Sequence, residues 1–452
     1  MRTISAATAS QISLAQRIHG SVHKERQEKM NLLEQLEQRG MIEQVTDRAA
    51  LDELLAKPGQ SIYVGFDPTA DSLHVGHFLP VLMLARFQRA GHRPIVLVGG
   101  ATGMIGDPSG RGTERQLLTV EDVARNSSAI HNQLARFVSF EGENAALMVD
   151  NATWTTPVSY LEWLRTVGKH FTINYMMAKE SVRRRLEDRE HGISYTEFSY
   201  MLLQANDFLQ LYDHDNCKIQ AGGSDQWGNI TAGCELIRKV RGGEGFGITF
   251  PLLATSSGEK FGKSAGNAVW LDPKRTSPYQ FYQFWIRTDD RDVDRLLRLF
   301  TFLEMVEIEV VLAKHAEAPE QRTAQKRLAE EMTRLVHGPL RLQGAMNASQ
   351  ALFGGELSGL SDSDLTDIFA DVPSFKVTAA ALDAGIKIAD VLVAAGAAKS
   401  KGEAQRLVTG GGVYVNNKRM EGAVVQRTDL ASETMFVVRV GKKSYYLGRV
   451  GM

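Results

Sequence analysis

Two pairs of basic side chains have spacings that suit phosphate chemistry. His74-Val75-Gly76-His77 sets two imidazoles at i and i+3, on one side of a first helical turn, with a glycine between them that lets a ligand approach the backbone. Helix N-termini attract phosphate, so paired imidazole donors there can bond the phosphates of ATP and stabilise charge that develops during attack on them. Two surface histidines capping a helix account for the same four residues equally well. A metal reading is weaker, because no glutamate or third histidine is arranged around the pair as in HExxH. Lys260-Phe261-Gly262-Lys263-Ser264, inside the polar run SSGEKFGKSAGN, places two lysines three residues apart on a glycine-bearing loop. Such a loop can close on a polyphosphate and neutralise it as it departs. Its GKS is not a Walker A element, because Ser257 stands where that motif needs its first glycine and no strand directly precedes it. A solvated basic loop is the ordinary alternative.

Three more segments gather glycines and polar residues. GGATGMIGDPSGRG (99–112) permits close backbone approach after an apolar run, but it contains no GxGxxG, so a dinucleotide cofactor is not supported. Asp107 within it is either a turn residue or a carboxylate for a cationic ammonium. EFSYMLLQANDF sets Tyr200, Gln204 and Asp207 at spacings of four and three, one stripe of a helix, which is either an outward face or the lining of a small pocket for polar groups. QAGGSDQWGN (220–229) puts Gly222, Gly223 and Asp225 after an apolar run, where a carboxylate can take ribose hydroxyls.

Alternating strands and helices would position these residues. SIYVGF from Ser61 reads as a short apolar strand, FLPVLMLARFQRAG as a helix ending at Gly91, and PIVLVGG (94–100) as a buried, unalternating strand of the parallel kind. That unit begins an α/β fold with a Rossmann-like, doubly wound parallel sheet. Residues 157–215 hold more helix than one crossover needs and are read as a helical insertion. CKIQAGGSDQWGN (217–229) then resumes with a strand and a turn into the helix NITAGCELIRKV. Pro80 predicts either a slight kink in the helix after His77 or a shift of its start. After Pro278 the pattern is helical, with Gly338 and Pro339 as a stop, and residues 354–380 show little periodicity and read as a linker. The expected organisation is an extension at 1–29, a Rossmann-like domain at 30–256 with its helical insertion, a loop and connection at 257–276, a helical domain at 277–353, a linker at 354–384 and a small α+β module at 385–452. The extension reads as a transit peptide or as sequence ahead of a true start at Met30. The second is preferred, since MNLLEQLEQRGM opens an amphipathic helix.

Composition excludes several classes. The 452 residues carry 52 Lys and Arg against 53 Asp and Glu, with 43% hydrophobic residues, which fits neither a disordered nor a collagenous chain. No apolar run approaches the roughly 20 residues that cross a bilayer. The two cysteines, Cys217 and Cys234, form no CxxC pair, which argues against zinc and fits a reducing compartment. From Lys399 onward ten basic residues face four acidic ones, a tail of +6 on a body of −7, so a polyanionic partner and a plain solvated basic face are both open.

Taken in order, YVGFDPTADSLHVGH, LVGGATGMIGDPSGR, NYMMAKES, TEFSYMLLQANDF, QAGGSDQWGNI and KFGKS resemble the bacterial-type tyrosyl-tRNA synthetases, which are class I aminoacyl-tRNA synthetases, from about Met30 to the C-terminus. HVGH corresponds to the family's HIGH signature and KFGKS to its KMSKS loop, with Val75 and Phe261-Gly262 as mild departures. The resemblance implies that Tyr63 and Asp207 hydrogen-bond the phenol of tyrosine, that Asp107, Tyr200 and Gln204 hold its ammonium, and that Gln226 lies near its carboxylate. Gly65, Asp67, Thr69, His74, His77, Gly222, Asp225, Lys260 and Lys263 would surround ATP, with Arg111 and Arg115 near its phosphates. His74, His77, Lys260, Lys263, Ser264 and Thr69 form the implied catalytic set. ATP with Mg²⁺ is expected as substrate, with no protein metal site and no permanently bound cofactor. The implied partners are L-tyrosine, tRNA(Tyr) reached by an alpha-L RNA-binding motif in the tail, and a second copy of the chain through 157–215, in the cytoplasm and without a membrane. A nucleotidyltransferase using HVGH for ATP, and a non-catalytic RNA-binding protein on a synthetase scaffold, are the competing readings.

Overall fold

The computed structural model describes residues 30–109, 118–187, 192–258, 261–264, 267–351, 357, 360–369, 372–420, 423–441 and 444–451. The expected extension at 1–29 lies outside them, as do Lys260, Arg111 and Arg115. The chain forms two units, one running through Leu271 and including Asp289–Glu317, the other made of Asp272–Thr288 and the chain from Ala318 onward.

The first unit is built on a six-stranded sheet of β1 (Gln44–Val45), β2 (Ser61–Phe66), β3 (Arg93–Val98), β4 (Leu147–Asp150), β5 (Cys217–Gly223) and β6 (Phe246–Phe250), in the order β1-β6-β5-β2-β3-β4. Neighbours run parallel except at the β1–β6 edge. The chain leaves β2 towards β3 and β4 and returns as β5 on the other side of β2, so the switch point falls between β2 and β5. Ile62, Tyr63 and Val64 on β2 are all at most 2% exposed, as a strand covered on both faces must be. A 3₁₀ turn, Val75–His77, precedes helix α1 (Phe78–Arg89). Pro80 therefore stands within the first turn of α1, where backbone N–H groups have no intrahelical partner, and the alternative of a shifted start holds rather than a kink. Gly91, at φ +88°, ends α1 as the sequence indicates.

Short helices at Tyr160–Thr166, Ile173–Met177 and Glu180–Glu187 fill the expected insertion. The last helix of that span, α2 (Tyr195–Asp215), is the crossover to β5 and packs along α3 (Trp227–Arg241). Buried Arg185 donates to both oxygens of buried Glu197 at 3.2 and 2.7 Å, which fastens the insertion to α2. No helix among the described residues is long and apolar enough to cross a membrane.

The expected helical domain at 277–353 is not one body. Its helices α4 (Asp290–Phe300) and α5 (Met305–Glu317) belong to the first unit. The apolar face of α4, with Val293, Leu297 and Phe300 buried, joins the core beneath α1, where Phe300 lies 6.4 Å from Phe78. Helical periodicity reveals which face of a helix is apolar but not which core that face enters. In the second unit, Gly338 ends the helix Thr323–His337 and Pro339 opens the next, Pro339–Ala351, so the Gly-Pro pair is a stop followed at once by a start.

The expected linker at 354–384 is also corrected. It contains a capped helix, Asp362–Ile368, and the strand β7 (Ser374–Thr378), followed by the helix Ala379–Ala384. With β8 (Val413–Val415), β9 (Lys418–Arg419), β10 (Met435–Val440) and β11 (Ser444–Gly451), β7 completes a sheet in the order β9-β8-β10-β11-β7. It runs parallel to β11 and contributes Phe375 to the same core as Phe436. Asp362 accepts hydrogen bonds from the hydroxyls of Ser432 and Thr434 and pins the preceding helix to that module. Elements of five to seven residues, dense in Gly, Ser and Asp, leave too few repeats for periodicity to show.

A fragment covering 360–452 should therefore unfold cooperatively in urea. A fragment starting at 385 should be weaker by more than about 2 kcal/mol, the burial of one phenylalanine, since it also exposes β11 as an edge. Equal midpoints for the two would show that β7 is not part of the module.

Candidate active site

The polar residues singled out in the sequence meet at the carboxyl ends of β2, β3, β4 and β5, where open parallel sheets bind ligands. Asp67 follows β2, Gly99 follows β3, Asn151 follows β4, and Gly222 and Gly223 end β5. The stripe of Tyr200, Gln204 and Asp207 lies on α2, with Tyr200 5% and Asp207 2% exposed, so of its two sequence readings the inward one holds. Ser194 caps the helix that carries it by accepting from the Glu197 N–H.

Asp207 is the centre of one hydrogen-bond chain. Its Oδ2 accepts from Asn151 Nδ2 at 2.9 Å and its Oδ1 from Trp154 Nε1 at 2.8 Å. Asn151 Nδ2 also reaches Thr102 Oγ1 at 3.0 Å, and Thr102 donates to Asp67 Oδ1 at 3.0 Å. Asp67 Oδ2 in turn accepts from the Tyr200 hydroxyl at 3.1 Å. A Cβ on Gly99 would strike both Asp67 Oδ1 and Thr102 Oγ1, so this approach requires glycine. Burial raises the pKa of Asp207 to about 7, helped by the charges of Asp67 and Asp150, while the bonds from Asn151 and Trp154 pull the other way. Beside it on β2, the Tyr63 ring packs 5.4 Å from Phe208, and its buried hydroxyl has no hydrogen-bond partner among the described residues. Burial and then the charge of Asp207 hold that phenol well above its ordinary pKa.

A second cluster faces the first from β5 and α3. Asp107 Oδ2 accepts from Gln226 Nε2 at 2.6 Å, and its Oδ1 from the Ser109 N–H at 2.9 Å. Asn229 Nδ2 bridges Gln226 Oε1 at 3.2 Å and Gln204 Oε1 at 3.0 Å. Burial, and next the charge of Asp107, raise the pKa of Asp225. The structure thus brings together Tyr63, Asp67, Asp107, Tyr200, Gln204, Asp207, Asp225 and Gln226, while Gly65 and Thr69 lie exposed beside Asp67, whose carbonyl accepts from the Thr69 N–H at 2.8 Å. Asp67, assigned by resemblance to ATP, bonds directly to Tyr200, assigned to the ammonium.

The histidine and lysine motifs touch. His74 and His77 stack with ring centroids 3.7 Å apart, and His74 meets the edge of Trp270 at 5.7 Å. Residues 269–271 pair with residues 73–75, since Val75 N donates to Val269 O at 2.9 Å and Leu271 N to Leu73 O at 2.8 Å. Val269 N bonds Gly262 O at 2.9 Å, and a Cβ on Gly262, at φ +87°, would stand 2.9 Å from Gly76 N. Gly262 thus lets the loop backbone meet the HVGH turn, while Gly76 leaves room for the His74 ring, which a Cβ there would strike at 2.8 Å. The Phe261 ring anchors the loop 5.5 Å from Phe300 of α4. Lys263 and Ser264 form a two-residue strand paired with Asn267–Ala268.

A family model described as "tRNA synthetases class I (W and Y)" matches residues 57–354, and one described as "Tyrosine--tRNA ligase SYY-like C-terminal domain" matches residues 364–448. The curated tyrosine--tRNA ligase of Roseiflexus castenholzii is 52% identical over 425 residues, 93% of this chain and 99% of that one. The chain belongs to the tyrosine--tRNA ligase family. The synthetase is also 53% identical to the Rhodopirellula baltica relative, over 93% of this chain and 96% of the other. Among solved structures, a C-terminally truncated mitochondrial tyrosyl-tRNA synthetase of Aspergillus nidulans superposes with a TM-score of 0.65 at 32% identity, covering 75% of this chain and 99% of its own.

Sequence reasoning about the synthetase missed Asn151, Trp154, Thr102 and Asn229. The available signal was position: Asn151 and Trp154 directly follow the apolar run AALMVD, at the carboxyl end of what is now β4. Replacing Asn151 by Ala removes donors to Asp207 and Thr102 and strands the Ala101 N–H, which bonds Asn151 Oδ1 at 2.8 Å. The expected cost in urea unfolding is about 2 to 3 kcal/mol. The cost should be larger at pH 8 than at pH 6, because the lost donor matters most to the ionised form of a carboxyl whose pKa is about 7. The same loss at both pH values would mean that Asn151 does not stabilise a charge on Asp207.

Proposed function

We propose that the chain activates L-tyrosine with ATP and transfers the tyrosyl group to the 3′-terminal adenosine of tRNA(Tyr). The observation that carries this reading is the pairing of a buried, unpartnered Tyr63 hydroxyl with the fully buried carboxylate of Asp207, an arrangement that suits a phenol able to donate to one and meet the other. Relatives at about half identity over nearly the whole chain, named tyrosine--tRNA ligase, support it.

In the proposed reaction the tyrosine carboxylate oxygen bonds to the α-phosphorus of ATP, and the bond from that phosphorus to the bridging oxygen breaks, releasing pyrophosphate. A ribose hydroxyl of the tRNA terminus then takes the acyl group, and AMP leaves. The first step needs no protein base, since the carboxylate is already ionised. Asp107, Tyr200 and Gln204 would hold the ammonium, and Gln226 would lie near the carboxylate. Gly65, Asp67, Thr69, His74, His77, Gly222 and Asp225 would line ATP, and Lys260, Lys263 and Ser264 would meet the departing pyrophosphate. Mg²⁺ would arrive on the phosphates as part of the substrate.

Pairing of two copies through the insertion is part of the same reading, as is a cytoplasmic location. Tyr160, Leu161, Ile173 and Tyr195 on that face are 58% to 73% exposed, an apolar patch that a second copy would cover. The tail's exposed Lys399, Lys401, Arg406, Lys418 and Arg419 suit a polyanion such as tRNA.

ATP–pyrophosphate exchange across the twenty standard amino acids should respond to tyrosine alone. Equal exchange with tryptophan would overturn the assignment. The pocket has its own test. Tyr63→Phe should erode discrimination against phenylalanine by about 1 kcal/mol, roughly fivefold in kcat/KM, whereas Asp207→Asn should cost tyrosine activation far more, since a charged acceptor is lost. Because Asp207 is protonated below about 7 and ionised above it, kcat/KM for tyrosine should rise as pH passes through that value, and the step should vanish in Asp207→Asn. Unchanged amino-acid ratios in both variants would show that these residues do not read the hydroxyl.

A further inference from the structure

A cavity of 1070 Å³ lies in the first unit at the C-terminal end of α1, away from His77, which precedes the other end of that twelve-residue helix. At about 1.5 Å per residue the two ends are about 18 Å apart, and nothing in the proposed reaction uses the cavity. Arg39, Arg86 and Arg89 line it. Arg39 is buried and committed to the backbone, donating to the carbonyls of Arg298 and Thr301 at 3.3 Å each and of Leu303 at 2.6 Å. Arg86 donates from one terminal nitrogen to the Thr301 carbonyl, while its Nε is buried with no acceptor among the described residues. The Arg89 guanidinium carbon stands 3.4 Å from the Phe302 ring centroid and, among the described residues, has neither a hydrogen bond nor an ion pair.

Two carboxylates share this wall. Asp52 is taken by Arg48 at 2.7 Å, and Glu304 is exposed. The guanidiniums are therefore under-neutralised, and the pKa of Arg86 falls to about 9 through burial, then through the charges of Arg39 and Arg89, against the opposing charge of Glu304. Cations in the last turn of a helix complement its dipole, which explains Arg86 and Arg89 as helix residues. It accounts neither for Arg39 converging on the same space nor for a buried donor without an acceptor. Leu36, Leu55 and Phe302 supply apolar wall beside the charge.

We propose that this cavity binds a phosphate monoester with an apolar body, its dianionic head on the Arg86 and Arg89 guanidiniums and its body against Leu36, Leu55 and Phe302. Guanidinium forks match phosphate oxygens, and the surplus positive charge suits a dianion better than a monoanion. The volume lies just above the roughly 300 to 1,000 Å³ of small-molecule sites, room enough for the ester.

Isothermal titration of the full-length protein with n-hexyl phosphate, under saturating tyrosine to block the amino-acid pocket, reads the proposal. One site per chain is expected. Arg89→Met should weaken binding at least about tenfold, the loss of one charged hydrogen bond, with tyrosine-dependent pyrophosphate exchange unchanged. Arg86→Met should weaken it likewise, and Phe302→Ala provides a third reading should Arg86→Met fail to fold. n-Hexanol, lacking the head, and inorganic phosphate, lacking the body, should each bind at least about tenfold more weakly. No binding at millimolar n-hexyl phosphate, full binding in Arg89→Met, or inorganic phosphate binding as tightly as the ester would overturn the assignment.

Discussion

Asp207 is fully buried, and burial alone would keep its carboxyl protonated. The donors from Asn151 and Trp154 oppose that effect, and the balance leaves the group poised near neutrality. Much of the pocket follows from maintaining this balance. Asn151 must stand at the end of β4, Thr102 must relay to Asp67, and Gly99 must lack a side chain so that Asp67 and Thr102 can approach. A carboxyl with a raised pKa also sets the direction of its effect on stability. Below the ordinary carboxyl pKa both folded and unfolded chains hold the proton; between about 4 and about 7 only the folded chain does, so this group's contribution to stability falls as pH rises through that window. Under the proposed function the loss is tolerated because ionisation is what lets Asp207 accept strongly from a phenol.

The other end of the site relies on backbone contact instead. Gly76 and Gly262 bring the histidine turn and the lysine loop within van der Waals range, and pairing of 73–75 with 269–271 fixes their register. Phe261 ties the loop to α4, and α4 in turn packs beneath α1. The helices that sequence pattern assigned to a separate domain thus brace the loop within the catalytic unit. For adenylate formation without a protein nucleophile, rate enhancement rests on placing fixed charge around the transferred phosphorus, and a loop seated by glycine contacts is a direct way to do so.

Periodicity made part of this legible in the sequence. The strands SIYVGF and PIVLVGG follow from short continuous apolar runs, and helix α1 and the Tyr200–Gln204–Asp207 stripe from a repeat of 3.6 over enough residues to be seen. The motif blocks, read together, indicated the family. Asn151, Trp154 and Asn229 were not legible because each acts alone, through position at the end of an element rather than through a pattern of its own. The strand β7 was hidden because a five-residue edge strand pairs with a partner some seventy residues away, and no local window contains both. The placement of α4 and α5 was hidden for a related reason, since an amphipathic helix declares an apolar face without declaring its destination.

Charge distribution adds a constraint that neither unit shows by itself. The residues before Lys399 carry a net −7 and those from Lys399 onward +6, so a polyanion is attracted to one part of the chain and repelled by most of the rest. Under the proposed function this favours engagement of tRNA through the tail and discourages non-specific phosphate binding along the body. The 3′ end would then meet a site that holds Asp67, Asp107, Asp207 and Asp225, whose ionised carboxylates would oppose an incoming phosphate. Local cations must offset that opposition. Under the proposed function the lysines of KFGKS supply that offset, with His74 and His77 as hydrogen-bond donors, so the contact of Gly262 with the HVGH turn serves electrostatics as much as geometry.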